Sequence, residues 1–165
     1  MGIERSETFP RAWRTYIETT LLLETRLEED MRATAGMTLA EFNVLLLLSE
    51  APTCRMRMGH LADRMVFSPS RLTYQVKSME KRGLVLRQTS AEDKRVHEVV
   101  LTAIGLERFR EAGEHHAATV QNLFDGIVTE EELVMLERLF SRLRGQLTQD
   151  SSGPGSTAQQ PDPPS

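Results

Sequence analysis

The sequence contains little cysteine, few aromatic residues and no long apolar run. Its single cysteine, Cys54, cannot form an internal disulfide and provides too few thiolates for a structural zinc site. Aromatic residues make up 5% of the 165 residues, which argues against an all-β protein. The longest apolar run, Val44–Leu48, is far shorter than the roughly 20 residues of a membrane-spanning helix, and Met1–Ser6 lacks a secretory pattern. We therefore expect a helix-rich cytoplasmic protein without a membrane partner.

Signatures of catalysis and of cofactor binding are also missing. The sequence has no glycine-rich phosphate loop, no carboxylate pair and no nucleophile with a positioned base. His115 and His116 are adjacent and so point to different sides of a helix, while His60 and His97 stand alone without an HExxH pattern. We therefore expect no enzymatic activity, no cofactor and no metal site.

Positive charge is concentrated in the middle of the chain. The formal net charge is −4, from 20 basic and 24 acidic residues. Residues 55–95 contain ten basic and four acidic residues, or +6, which leaves ten basic and twenty acidic residues, or −10, in the rest of the chain. A basic centre between acidic flanks is suited to attract a phosphate backbone.

Apolar periodicity and capping signals predict six helices and one β-hairpin. Capping boxes open at Thr38 and Thr129, and Ser68 caps a helix with Pro69 at its first position and Gly83 after its end. The predicted helices cover Thr8–Arg32, Thr38–Pro52, Met58–Met65, Pro69–Arg82, Thr102–Phe124 and Glu130–Gln146, and the hairpin strands cover Leu84–Thr89 and Val96–Leu101, with Thr53–Arg57 as a link.

A short helix, a turn, a polar-faced helix and a hairpin follow one another in the order of a helix-turn-helix with an appended wing. The second helix, Pro69–Arg82, would be about 21 Å long and would fit a major groove roughly 12 Å wide. Arg71 is suited to pair with guanine, and Lys77 and Lys81 to contact phosphates. The candidate DNA-binding residues on this helix are Ser68, Ser70, Arg71, Thr73, Tyr74, Lys77 and Lys81. The alternative is that these residues are only the solvated face of an amphipathic helix.

The hairpin adds a second candidate contact with DNA. Its turn carries Lys94 and Arg95, and a basic tip on a two-stranded arm can enter the neighbouring minor groove. Asp93 would repel phosphate if it were bare, so we expect it to hold an arginine or to cap the turn. Arg87 on the first strand completes the candidate DNA-binding set. An ordinary charged β-turn is the alternative interpretation.

The motifs of the polar-faced helix and of the hairpin, in the central segment of the chain, resemble those of the MarR family of bacterial regulators. The resemblance rests on Ser68–Val85 and on Asp93-x-Arg95, followed after five residues by Leu101-Thr102, and it spans about residues 8–147. It implies a dimeric winged-helix repressor or activator, often released from DNA by a small phenolic or lipophilic effector. Tyr74 departs from the family pattern, which often has arginine after the helix threonine, so the resemblance does not specify the base contacts at this position.

The fold class is therefore expected to be mostly α with a small antiparallel hairpin wing. We predict a winged helix-turn-helix DNA-binding domain over residues 37–102 and a helical dimerisation region over residues 8–36 and 103–147. The apolar faces of the terminal helices exceed what the central domain can cover, so we expect a homodimer on double-stranded DNA with a pseudo-palindromic operator. Residues 148–165 are rich in Ser, Gly, Gln and Pro, which predicts a disordered tail.

Three further interpretations concern regulation. Trp13 and Tyr16, with Met37 and Phe42, could line an effector pocket, although aromatic residues on an apolar stripe more often belong to a core. Cys54 lies near Arg55, which favours a reactive thiolate, but small buried cysteines are usually inert. The competing function is a helical dimer that acts as a protein-interaction or anti-regulator module without binding DNA.

Overall fold

The computed structural model describes residues 7–90 and 93–150, with side chains through residue 148. The chain divides into two compact units, residues 1–122 and residues 123–165. The elements in chain order are α1 (Thr8–Ala35), α2 (Leu39–Glu50), β1 (Arg55–Arg57), α3 (Met58–Met65), α4 (Pro69–Lys81), β2 (Val85–Thr89), β3 (His97–Leu101), α5 (Ala103–Phe124) and α6 (Glu130–Asp150). This arrangement confirms the predicted fold class.

The predicted capping residues begin and end the helices as expected. The Thr38 hydroxyl accepts the Glu41 N–H at 3.0 Å, and the Glu41 carboxylate accepts the Thr38 N–H at 3.0 Å, which confirms the capping box of α2. The Ser68 hydroxyl accepts the Arg71 N–H at the start of α4. Gly83 has φ +72°, a left-handed conformation that glycine adopts at little cost, so the chain turns directly from α4 into β2.

The sheet has three strands, whereas the sequence predicted two. Its order is β1-β3-β2, with both pairs antiparallel, and β1 aligns Met56 with Val99. The prediction of Thr53–Arg57 as a plain link was therefore wrong for Arg55–Arg57. Three residues with one apolar side chain give too weak an alternation to predict a strand, and β1 owes its conformation to pairing with β3.

The core of residues 1–122 lies mainly within the central segment. Side chains from α2, α3, α4 and the sheet are fully enclosed there, namely Val44, Leu45, Leu48, Leu61, Leu72, Val76, Val85 and Val99. Leu72, Val76 and Met79 form the buried stripe of α4 that the sequence predicted. The rest of the α4 surface is thereby held facing outward, because the stripe fixes the rotation of the helix about its axis.

A cluster of hydrogen bonds ties the end of α4 to the junction between α1 and α2. The Arg82 guanidinium donates to the Glu41 carboxylate at 2.8 Å and to the Gly36 carbonyl oxygen at 3.0 Å. The Glu41 side chain is buried, so this ion pair is shielded from solvent on its acidic side. Arg108 of α5 donates to the neighbouring Ala35 carbonyl at 2.7 Å.

Thr102 joins the sheet to α5. Its hydroxyl donates to the Gly83 carbonyl at 2.6 Å and accepts the Gly105 N–H at 2.9 Å, which confirms its predicted role as the cap of α5. Gly105 packs so closely against the Leu84 carbonyl oxygen that a Cβ there would overlap it. A glycine is therefore required at this contact between α5 and the sheet.

Residues 123–165 contain the end of α5, a turn and α6. The Thr129 hydroxyl accepts the Glu132 N–H, and the Glu132 carboxylate accepts the Thr129 N–H, which confirms the second capping box. Helix α6 continues through Asp150, so the predicted start of the disordered tail at Thr148 was wrong by three residues, and residues 151–165 of that tail lie outside the described part of the chain. None of the described side chains of α6 is buried.

Within the described ranges no single helix is long and apolar enough to cross a bilayer. Helices α1 and α2 meet the test of length and composition only when taken together across a 79° bend.

Candidate nucleic-acid interface

Helix α4 presents a continuous polar surface. Its buried stripe faces the core, and the side chains of the other candidate positions are exposed: Ser70, Arg71, Thr73, Tyr74, Lys77 and Lys81. Tyr74 is 78% exposed, which is unusual for so large an apolar ring in the middle of a helix. The structure therefore brings these candidates together on one accessible surface.

The hydroxyl groups at the start of α4 are partly used by the helix itself. Ser68 and Ser70 share a hydrogen bond of 3.2 Å between their hydroxyl oxygens, and Thr73 donates to the Pro69 carbonyl at 2.8 Å. The Thr73 oxygen keeps its lone pairs for an incoming donor, such as the exocyclic amine of a base, whereas the Ser68 oxygen already accepts the Arg71 N–H.

Arg71 lies over an aromatic ring. Its guanidinium carbon is 3.9 Å from the centre of the Phe67 ring, a cation–π contact that the sequence analysis did not predict. Phe67 stands four residues before Arg71, a spacing that signals such contacts only when both residues are helical, and Phe67 precedes the helix.

The turn before α4 contains an unusual backbone conformation. Val66 has φ +53° and is 90% exposed. A β-branched residue in the left-handed region is strained, and strain of this kind is often found at functional sites. The turn that aims α4 is therefore held in shape by its surroundings rather than by the preference of Val66.

The tip of the wing exposes its basic residues. Lys94 and Arg95 are exposed, and the Asp93 carboxylate accepts the Arg95 N–H at 2.9 Å. Asp93 thus caps the turn, which was one of the two roles predicted for it. Ala91 and Glu92, also part of the predicted turn, lie outside the described residues.

Arg87 is placed differently from the other candidates. Its backbone N–H and its guanidinium donate to the two oxygens of the Glu80 carboxylate, at 3.1 and 2.9 Å. The hydrogen bond from the Arg87 backbone, together with its charge, holds the pKa of Glu80 below the ordinary value. Arg87 therefore neutralises an acidic group on α4, a role that the sequence analysis did not predict.

A groove runs between α4 and the wing, with a volume of about 820 Å³. Helix α4 contributes Thr73 and Glu80 to its lining. The remaining lining residues come from the end of β1 and the start of α3, and from the two wing strands: Arg57, Met58, Gly59, His60, Arg87, Gln88, Thr89, Arg95, Val96 and His97. Sequence reasoning missed Arg57 and His60 because it placed them in a link and in a short structural helix.

The four candidate effector residues do not come together around one cavity. Met37 and Phe42 are buried in the core, where the Phe42 ring packs against Phe109 and His116. Trp13 and Tyr16 stack on each other on α1, 5.7 Å between ring centres, with Trp13 54% exposed. Met37 and Phe42 therefore belong to the core, whereas Trp13 and Tyr16, the aromatic pair for which the core role was the alternative, are exposed in this chain.

A larger cavity lies elsewhere, between α1, α2 and the start of α4. Its volume is about 1000 Å³. Apolar side chains that line it are Leu23, Leu27, Leu39, Leu46, Leu47, Met65 and Phe67, and polar ones include Thr38, Asn43, Arg64 and Arg71. Arg71 therefore belongs both to this cavity and to the exposed surface of α4.

Two of the four histidines make local contacts. His115 on α5 lies 3.3 Å from the Asp30 carboxylate, and that carboxylate also accepts the Thr119 hydroxyl at 3.0 Å. Burial against Phe42 lowers the pKa of His116, and the nearby charge of His115 lowers it further, while Asp30 acts in the opposite direction. Among the described residues, no group of three potential ligands could hold a metal ion.

Comparison with known proteins agrees with this geometry. The sequence profile of the MarR family matches residues 35–96. AbsC, a MarR family transcriptional regulator from Streptomyces coelicolor, is 35% identical with a TM-score of 0.80, over 89% of this chain and 99% of AbsC. Sco3205, a MarR family transcriptional regulator from the same organism solved in complex with DNA, is 30% identical with a TM-score of 0.82, over 89% of this chain and 92% of Sco3205.

A similarity to a curated regulator is weaker in identity but consistent. The HTH-type transcriptional regulator MhqR of Bacillus subtilis is 26% identical over 111 residues, which cover 66% of this chain and 72% of MhqR. Together with the central three-stranded sheet and the exposed surface of α4, these similarities assign the fold and the family. The chain belongs to the MarR family of winged-helix transcriptional regulators.

Proposed function

We propose that this protein is a homodimeric repressor that binds a pseudo-palindromic operator and releases it when a small-molecule effector binds. The operator-binding residues are those of α4 and the wing tip, and the protein acts as a regulator rather than as an enzyme. The observation that carries the proposal is the exposed basic surface shared by α4 and the wing, with Arg95 at the wing tip beside Asp93, whose carboxylate caps the turn. The structure of Sco3205 with DNA supports a nucleic-acid partner for this fold.

The apolar surfaces of the terminal helices support the dimer. Helix α1 exposes Phe9, Trp13, Tyr16, Ile17, Leu21 and Leu22, and α6 exposes Leu133, Val134, Met135, Leu136, Leu139, Leu143 and Leu147. Monomeric proteins rarely leave so many large apolar side chains in water. A second copy of the chain would bury them and would place two copies of α4 on the same side of the duplex, about 34 Å apart.

The cavity between α1, α2 and α4 supports regulation by an effector. Its volume suits a small organic molecule, and its mixed apolar and polar lining suits a phenolic or lipophilic one. An occupant that contacted Phe67 or Arg71 would alter the cation–π pair and so the orientation of a base-reading side chain. Effector binding and DNA binding would thereby compete for the position of Arg71.

The test of DNA binding compares the wild type with Arg95→Ala. Binding to the upstream region of the protein's own gene and to a scrambled duplex is measured at two salt concentrations. We expect specific binding that weakens as salt rises, and a loss of about tenfold to hundredfold for Arg95→Ala. Arg110→Ala is the matched control, because Arg110 is an exposed arginine on α5, away from α4 and the wing.

The outcomes separate the two candidate functions. Equal binding of the upstream region and the scrambled duplex would require selection of an operator from genomic fragments before the repressor proposal could stand. Absence of DNA binding even at low salt would contradict the proposal and would favour the protein-interaction module. An Arg110→Ala loss as large as that of Arg95→Ala would show that total charge, rather than the wing, determines affinity.

The effector is tested by operator release. A panel of phenolic and lipophilic compounds is screened for displacement of the protein from its operator. Ala40→Phe, which fills part of the cavity, should keep operator binding and lose the response to an active compound. An unchanged response in Ala40→Phe would place the effector site elsewhere.

A further inference from the structure

The α4–wing groove lies where a DNA backbone has to pass. The groove separates Thr73, near the start of α4, from Arg95 and His97 on the wing. If α4 occupies the major groove and the wing tip the adjacent minor groove, one sugar–phosphate strand separates the two. That strand must run between α4 and the wing, and so through this groove.

The charges that line the groove suit a phosphate strand. Arg57, Arg87 and Arg95 line it, together with His60 and His97. Glu80 is the one carboxylate among the lining residues, and both of its oxygens accept hydrogen bonds from Arg87. The acidic group is therefore neutralised within the protein, and the rest of the lining attracts phosphate.

The floor of the groove also leaves space for a close approach. Gly59 lies between Arg57 and His60, and a Cβ placed on Gly59 would meet no atom within 4 Å. Arg57 and His60 are both exposed beside it. Arg57 is fixed in position by β1, where it pairs with Glu98 of β3, so its backbone is anchored to the wing itself.

We propose that the α4–wing groove binds the phosphodiester strand that separates the major groove from the minor groove, with Arg57 and His60 contacting its phosphates. The inference rests on the proposed DNA binding and adds residues of β1 and α3 to the interface. Phosphate contacts position the protein without reading sequence, so these residues should strengthen binding to every duplex alike.

The experiment measures the salt dependence of affinity for the operator and for a scrambled duplex. Arg57→Gln should weaken binding about three- to tenfold on both duplexes and should reduce the slope of log K against log salt by about 1.8, which is about 0.9 for each of the two phosphate contacts that the proposed dimer would lose. His60→Ala should weaken binding about threefold on both. Arg55→Gln is the matched control, since Arg55 lies on the same strand but does not line the α4–wing groove.

The possible results distinguish failure of the groove inference from failure of the regulator proposal. Unchanged affinity and slope in Arg57→Gln, with specific binding by the wild type, would overturn the inference and leave the regulator proposal intact. A loss confined to the operator would also overturn it, because base reading would then explain the effect. If the wild type bound no duplex, both proposals would fail.

A further variant guards against a folding defect. Arg57→Lys keeps the positive charge and should keep the full salt slope, so a loss in Arg57→Gln that Arg57→Lys restores would assign the effect to the charge. A loss of slope in Arg57→Lys equal to that in Arg57→Gln, with far-UV circular dichroism unchanged, would contradict the phosphate contact.

Discussion

The central segment, from α2 to β3, and the terminal helices have similar patterns of apolar residues. Within one chain, only the apolar faces of the central segment are buried. From α2 to β3, side chains such as Leu45, Leu72 and Val85 are completely enclosed. Helix α1 buries Met31 alone, and the described side chains of α6 bury nothing. Apolar periodicity thus predicts that one face of a helix will be buried, but it does not predict whether the residues that bury it belong to the same chain. The difference divides the molecule into a part whose apolar faces are buried within the chain and helices whose apolar faces the described chain leaves exposed.

The largest expected effect concerns the packing of α5 against the buried central part of the molecule. Gly105→Ala would push a methyl group into the Leu84 carbonyl, where the obstacle is backbone and cannot rotate away. We expect the free energy of unfolding to fall by about 3 kcal/mol, as in severe overpacking. Urea denaturation followed by circular dichroism measures the change.

Gly113→Ala serves as the control for this substitution on the same helix. A Cβ on Gly113 would meet only the Phe42 ring, at 3.8 Å, an ordinary contact. This variant should be stabilised by about 0.5–1 kcal/mol, because alanine favours the helix more than glycine does. Equal destabilisation of both variants would show that α5 tolerates no side chain at either position.

The second prediction tests the incompleteness of the terminal helices. Leu136→Glu places a charge in the exposed apolar stripe of α6, so we expect the dimer dissociation constant to rise at least about tenfold. Analytical ultracentrifugation measures it. Arg138→Glu, on the opposite side of α6, should leave the dissociation constant within a few fold. If Leu136→Glu left the assembly state unchanged, the exposed apolar stripe of α6 would not be a dimer contact. The contrast between the central segment and the terminal helices would then be lost.

A third, smaller effect concerns the place where α5 closes the central core. The pKa of His116 is lowered by burial, so the folded chain resists a proton that the unfolded chain accepts near its ordinary pKa of 6.5. Stability should therefore decline as the pH falls from 7.5 through 6.5, because the unfolded state binds more protons there.

Urea midpoints at pH 7.5 and 5.5 measure this decline. His116→Gln should reduce the difference between the two midpoints, whereas His97→Gln, an exposed histidine on the wing, should not. An identical pH dependence for the wild type and His116→Gln would show that burial of this imidazole does not affect folding.

The smallest effect lies within the central part itself. Val66 occupies the left-handed region, which asparagine tolerates far better than a β-branched residue. Val66→Asn should stabilise the protein by about 0.5–1 kcal/mol, as the thermal midpoint would report. Val66→Ile, which keeps the branching, should show no gain. A gain in both variants would mean that side-chain exposure rather than backbone strain limits stability at this position.

Local signals in the sequence predicted most of the fold. The capping box at Thr38, the cap and proline at Ser68 and Pro69, and the helix end at Gly83 depend on neighbours within a few residues. Strand β1 was missed because its conformation depends on β3, more than forty residues away in register. Short strands of this kind are set by pairing, which a local pattern does not contain.

The candidate site was predictable in position but not in detail. The exposed side of α4 follows from the buried stripe of Leu72, Val76 and Met79, and so could be read from spacing alone. The contact of Arg71 with Phe67 and the pairing of Arg87 with Glu80 depend on how the chain turns between elements. Composition and periodicity indicate which side of a helix is exposed to solvent, but they do not indicate which of the charged side chains there pair with one another.

The guanidinium of Arg82 connects the end of α4 to both α1 and α2. It sits at the end of α4 and holds both the carbonyl that ends α1 and the carboxylate in the first turn of α2. If α1 turned about this point it would carry α4 with it, and over the roughly 20 Å length of α4 a small rotation would become a displacement of ångströms at the N-terminal end of the helix. In the DNA-binding mode proposed above, the orientation of α4 in the major groove would therefore depend on Arg82, a residue at the opposite end of the helix.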